Sequence, residues 1–136
     1  MKKLMIICSI FLALSLTACK SIEACGPETI ELDKDQLYSS VNTFINTVKD
    51  QDYISAMQYY KDSDRYEPIA FSSFVKSTSL GKALDNGTIS YTLQSYDCES
   101  GIAKLSFIYD DDRHYMTVDV NDGYKIFISE EEIIHD

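Results

Sequence analysis

Few residues of this chain are of types that do covalent or metal chemistry, and for most of them a plainer role competes. Four cysteines stand at Cys8, Cys19, Cys25 and Cys98. A thiol can take an acyl or alkyl group, oxidise to a disulfide, or ligate zinc as the thiolate. The run Asp110-Asp111-Asp112 offers hard oxygen ligands of the kind Ca²⁺ takes. Three acidic residues between two alternating apolar runs are, however, expected to form a solvated hairpin turn. Asp119-Val120-Asn121-Asp122-Gly123 has the acidic flavour of a calcium loop, but its Gly falls fifth and a strand intervenes before Glu130, so a hairpin is expected there too. His114 shares strand parity with Met116 and Val118, which turns it toward the apolar side. It also stands at the start of its strand beside the aspartate run, and a charged rim position is the expectation. Asp119 has the opposite parity and should point away from that side, which weakens it as a general base. Tyr38, Tyr91 and Tyr109 are pocket-lining or partly buried core residues. No nucleophile–base pairing, Gly-x-Ser-x-Gly, phosphate loop, zinc helix motif or Cys-x-x-Cys is present. The expectation is a domain without catalysis, metal or cofactor.

The roles of the cysteines follow from the segment before them. Met1-Lys2-Lys3 is a short positive start. Leu4 to Leu16 is an apolar run broken only by Ser9 and Ser15, and Thr17 and Ala18 are small. That order describes a secretory signal peptide. A transmembrane helix would need about 20 consecutive apolar residues, and Lys20 and Glu23 cut the run short. Leu16-Thr17-Ala18-Cys19 then resembles the lipobox of bacterial lipoproteins. The resemblance implies that the Cys19 thiol receives a diacylglyceryl group and that the chain is cut before it; the alternative is a cut at Ala18 without lipid. One acyl chain anchors only marginally and stable attachment takes two or more, so a lipoprotein is expected to stay on its membrane, facing the extracytoplasmic side of the envelope. Lys20 rather than Asp at the next position resembles outer-membrane sorting if the cell is Gram-negative.

With the leader gone, Cys25 and Cys98 are the remaining thiols. In an exported protein such a pair is expected to form a disulfide. Zinc competes poorly, because with only His114 and His135 to help there is no zinc spacing.

Removal of residues 1–18 leaves 118 of the 136 residues, enough for one domain. Lys2 and Lys3 leave with the leader, so 10 basic and 22 acidic residues remain, a formal charge of −12. That opposes nucleic acid, whose binding relies on Lys and Arg neutralising phosphates, and opposes direct binding to anionic headgroups.

Residues 19–32 read as the lipidated Cys and a tether with a Gly26-Pro27 turn, and residues 33–136 as a single domain. Asp33 with Gln36 has the pattern of a capping box, and Leu37, Val41, Phe44, Ile45 and Val48 lie on one helical stripe. After Lys49-Asp50-Gln51-Asp52, a second helix is expected over 52–61, burying Ile54 and Met57 with Tyr53 and Tyr60. One helix is expected over 67–85, with Pro68 in its first turn. Four alternating runs follow, broken at 98–101, at 110–112 and at Asn121-Asp122-Gly123, a hairpin signal. Helices followed by strands predict an α+β fold: two or three N-terminal helices on a curved four-stranded antiparallel meander. Residues 129–136 form an acidic tail.

The stretch Phe44-Ile45-Asn46-Thr47-Val48-Lys49-Asp50-Gln51-Asp52-Tyr53-Ile54-Ser55-Ala56 resembles the first two helices of nuclear-transport-factor-2-like domains. Ser100-Gly101-Ile102-Ala103-Lys104-Leu105 is similar to the start of their second long strand. Asp122-Gly123-Tyr124-Lys125-Ile126 is similar to their last turn and strand, where relatives often carry Trp in place of Tyr124. The resemblance spans Asp33 to Ile128 and implies a cone with a cavity between helices and sheet. It carries over no catalytic set, since members include isomerases, dehydratases, transport factors and domains without chemistry.

The functional expectation is a membrane-anchored envelope lipoprotein whose domain binds a protein or small ligand. The alternative is an inhibitor or immunity protein against a basic toxin or hydrolase in the envelope; a third reading is an acid–base enzyme using the cone. For a basic protein partner, Asp110, Asp111 and Asp112 are the expected contact.

Overall fold

A computed structural model describes residues 30–129. The fold is α+β, with helices first and a four-stranded antiparallel sheet after them, in spatial order β1-β2-β3-β4. Helix α1 is Lys34–Lys49. The Asp33 carboxylate caps it, accepting from the backbone N–H groups of Asp35 at 3.1 Å and Gln36 at 3.2 Å. The N–H of Asp33 itself donates to the Tyr124 hydroxyl at 2.9 Å, which ties the helix start to the far end of the chain. The helix ends in a Schellman arrangement: Gln51, at φ 59°, donates to Val48 O, and Asp52 donates to Thr47 O.

Helix α2 is only Tyr53–Met57, shorter than the 52–61 expected, because the chain beyond it bonds to a strand instead. Tyr60 bridges Ile126, the Lys61 N–H donates to Ile126 O at 2.8 Å, and the Ile126 N–H donates to Tyr59 O at 2.7 Å. Nor does α2 bury Ile54, which is 67% exposed; Ala56, 200° around the helix from it, faces the core.

The stretch expected as one helix is two. Helix α3 is Pro68–Ser77 and α4 is Ser79–Asp85, broken at Thr78, whose ψ of 159° is extended. Thr78 is fully buried. Its hydroxyl donates to Val75 O at 2.6 Å and accepts from the Gly81 N–H at 3.0 Å, closing α3 and capping α4 with one side chain.

The strands are β1, Tyr91–Asp97, β2, Ile102–Tyr109, β3, Asp112–Asp119, and β4, Lys125–Phe127. β2 and β3 pair in continuous register from Ile102↔Asp119 to Tyr109↔Asp112. Ala103, Leu105, Phe107, Met116, Val118 and Ile126 form the buried sheet face, and Leu37, Val41, Phe44, Phe71, Val75 and Leu80 meet them from the helices. The helix–sheet layer that the family resemblance would leave as a cavity is filled by these side chains, all within 2% of full burial.

The turn between β2 and β3 contains only Asp110 and Asp111, at φ 54° and 66°. Two positive φ values in a two-residue loop mark the type I′ turn, in which Asn-Gly is cheapest. Asp110→Asn with Asp111→Gly is therefore expected to stabilise the domain by about 1 kcal/mol. Urea unfolding checks this, and a destabilised double variant would contradict the turn geometry.

Candidate functional site

The chain reaches the sheet at one end. The Ile30 N–H donates to Cys98 O at 3.1 Å, and its carbonyl accepts from the Tyr96 hydroxyl at 2.7 Å. Tyr96 is in place for this because β1 carries a bulge at Gln94. The register passes from Leu93↔Leu105 to Ser95↔Lys104, so Tyr96 instead of Ser95 turns inward. Ile30 and Leu32, within the segment read as tether, pack against the core. Cys98 is half-buried in the β1–β2 turn and does not present a free thiol. Cys19 and Cys25 lie outside the described residues.

Asp110, Asp111 and Asp112 lie at the other end. β2 runs eight residues from the Cys98 turn to this tip, which at the strand rise places it about 25 Å away. All three aspartates are exposed, as is Arg113 beside them. They are consecutive at a hairpin tip and do not converge. Among the described residues no group of three or more His, Cys, Asp or Glu is arranged to hold a metal ion.

His114 faces inward with Met116 and Val118, as its parity predicts. It is half-buried, and its ring stacks on Phe107 at 5.9 Å between centroids and meets Tyr109 at 5.8 Å. It is thus a packed ring at the rim of the layer. Tyr38 and Tyr91 meet nearby at 6.0 Å, and the Tyr91 hydroxyl donates to the Asn42 Oδ1 at 2.6 Å. Burial and its neighbour Tyr38 push the Tyr91 hydroxyl up from its ordinary value. The three tyrosines named from sequence all sit at the inner-face margin; Asn42 was not legible as the partner of Tyr91.

Asp119 lies on the opposite face from Val118, as parity predicts, but it is buried. Its carboxylate accepts from Lys61 Nζ at 2.5 Å and from the Asn121 N–H at 3.1 Å. The Asp119 hydrogen bond is the chief cause that raises the Lys61 ammonium above its ordinary value. The pair fastens the 58–62 segment to the end of β3, which is a structural task. His114 and Asp119 therefore stand on opposite faces of one strand and form no acid–base pair.

One further recess, of about 420 Å³, had no counterpart in the sequence reading; it is lined by Tyr60, Tyr66, Phe74 and Phe127 together with Lys61, Asp62 and Arg65. Tyr66 and Phe74 stack at 5.3 Å. The Tyr60 hydroxyl accepts from the Ile128 N–H, and burial pushes it up to about 12. Among the described residues every buried side-chain nitrogen and oxygen has a hydrogen-bond partner, and no helix is long and apolar enough to cross a membrane.

No protein-family model, curated protein or solved structure matches the chain.

Proposed function

We propose that this chain is an envelope lipoprotein, held on the extracytoplasmic side of a membrane through acylated Cys19, and that its domain is a non-catalytic binding module of nuclear-transport-factor-2-like build. One observation carries the binding face. Ile30, in the segment read as tether, bonds to the Cys98 carbonyl at one end of β2, and the densest described acidic cluster is the hairpin tip at the opposite end of that strand. In a tethered domain that polarity turns Asp110, Asp111 and Asp112 away from the bilayer. The complete signal ending at Cys19 supports the anchor, and the chemically separated His114 and Asp119 support binding over acid–base catalysis.

The −12 charge of the mature chain supports a basic protein as partner. An envelope toxin or hydrolase held in check by this domain is the specific form of that reading. Neutralising Asp110, Asp111 and Asp112 together to Asn is expected to leave stability within about 0.5 kcal/mol. It should also slow association, and added salt should do the same to the wild type, because such charges act on the on-rate. Affinity capture from native envelopes at low and high salt, with wild type and triple variant side by side, checks this. A partner with an acidic or apolar contact face, recovered equally by both proteins at both salts, would contradict it.

The same polarity bears on Cys25. It lies five residues before Ile30, which is bonded to the Cys98 carbonyl, and five residues span up to about 17 Å. A Cys25–Cys98 disulfide is within that reach and would clamp the tether to the end of the sheet. Closing so long a loop stabilises by roughly 4 kcal/mol in the chain-entropy picture. Mass mapping of unreduced exported protein should recover the two peptides joined; both thiols alkylated without reduction would rule the bridge out.

A further inference from the structure

We propose that the acidic segment following β4, from Glu130 on, docks along the edge of β3 that β4 leaves open, with Glu131 set against Arg113 and Glu130 beside His114. Residues 130–136 lie outside the described residues, and their sequence is Glu-Glu-Glu-Ile-Ile-His-Asp. The proposal rests on the register of the sheet. It does not depend on how Cys19 is processed or on what the domain binds.

β3 has eight residues and β4 only three, and their pairing covers Thr117, Val118 and Asp119. On that side no strand of the described sheet runs beside Asp112 to Met116. Two observations fix which backbone groups face there. Tyr109 and Asp112 close a two-residue hairpin and so form a hydrogen-bonded pair. Alternation along β3 then turns the Met116 N–H toward β2, and the N–H groups of Arg113 and Thr117 toward the β4 side. From the other strand, Ile126 spends its N–H and C=O on Tyr59 and Lys61. That leaves Lys125 and Phe127 to face β3, opposite Asp119 and Thr117, in agreement with the first count. A strand edge with such groups exposed is a template for wrong pairing, which proteins cover or charge.

The chain leaves β4 in position to cover this edge. The Ile128 N–H donates to the Tyr60 hydroxyl, on the side away from β3, as the Ile126 N–H does to Tyr59 O. Ile128 is also buried, like Ile126. It therefore keeps the alternation of the strand beyond Phe127, where the described pairing ends. A slip of one residue would turn Ile128 out of the core, so the register is pinned. Continued from Thr117↔Phe127, it brings Glu130 opposite His114 and Glu131 opposite Arg113. Parity sets Glu130 on the inner face with the half-buried His114, and Glu131 on the outer face with the exposed Arg113. Opposite charges directly across a sheet attract, and like charges repel. One step further Glu132 would stand opposite Asp112, so the contact ends at Glu131.

Amide hydrogen exchange followed by NMR, in the full chain and in a chain stopped after Ser129, tests this. The Arg113 N–H faces the docked segment and the Met116 N–H faces β2, so the Arg113 rate is read relative to that of Met116 in the same sample. Stopping the chain after Ser129 is expected to speed Arg113 by about tenfold, the worth of one hydrogen bond. Arg113→Glu and Glu131→Arg should each speed it in part, and the two together should restore it. An Arg113 ratio equal in the full and shortened chains would overturn the proposal. So would a double variant that exchanges no more slowly than the single ones, which would mean that Glu131 does not meet Arg113. Protection of Arg113 that is lost on dilution of the full chain would overturn it in favour of a second copy on the edge.

Discussion

Gly81→Ala is expected to destabilise the domain by about 3 kcal/mol or more, at the upper end of what overpacking costs. The added methyl would meet the Val75 carbonyl oxygen at 2.0 Å and its carbon at 2.8 Å, and both are backbone atoms with no rotamer to escape into. Relief would require opening the α3–α4 corner. That corner holds the buried hydroxyl of Thr78, which bonds Val75 O and the Gly81 N–H, and it sits among the buried Phe71, Val75, Leu80 and Leu84. Against a typical total of 5–15 kcal/mol, such a loss would be visible in any equilibrium unfolding experiment. Gly123→Ala is the internal control. Gly123 also lacks a side chain, but nothing lies within 4 Å of its Cβ position, and only its φ of 65° is unfavourable for Ala. It should cost about 1 kcal/mol. Urea midpoints of the two variants should differ clearly in that order; equal midpoints, or a near-neutral Gly81→Ala, would contradict the packing of the corner.

Cys19→Ser is expected to abolish incorporation of labelled fatty acid completely and to remove the mature membrane-bound form. On the proposed lipoprotein reading, the Cys19 thiol that follows Leu16-Thr17-Ala18 is the group that takes the diacylglyceryl chains. Each buried methylene of an acyl chain contributes about 0.8 kcal/mol, and one chain alone binds only reversibly, so the whole anchor depends on this one atom. Without it the protein should accumulate either as uncut precursor or as a soluble form. Growth in labelled palmitate followed by fractionation of wild type and variant measures both effects. Persistent label in Cys19→Ser would place the lipid elsewhere.

The fold class and the order of elements were legible because they rest on local periodicity. The Leu37-Val41-Phe44-Ile45-Val48 stripe became the buried face of α1, and the alternation of β2 and β3 gave their inner faces residue by residue. Asn121-Asp122-Gly123 became a short 3-10 turn closed by Gly123 in the left-handed region. What sequence concealed was set by distant partners. Ile54 was expected inside because it is apolar, yet α2 turns by the demand of Ala56 and of the Tyr60–Ile126 bridge. The helix of 67–85 broke because Thr78 spends its hydroxyl on two backbone partners, and a threonine alone does not announce that. The bulge at Gln94 shifted the parity of β1, bringing Tyr96 to Ile30, which no alternation count reveals. The same holds for the sites. The acidic hairpin tip is contiguous in sequence and was visible. The recess lined by Tyr60, Tyr66, Phe74 and Phe127 joins residues far apart in the chain, so it exists only once the elements are packed.

Lipid anchoring of the domain through Cys19 is tested by the mass of the N-terminal peptide of the protein isolated from native membranes. The prediction is a peptide that begins at Cys19, lacks residues 1–18, and carries the added mass of a diacylglyceryl group on that cysteine, with or without a further acyl chain on its amine. A peptide that retains residues before Cys19, or one that begins at Cys19 with no added lipid mass, would contradict it.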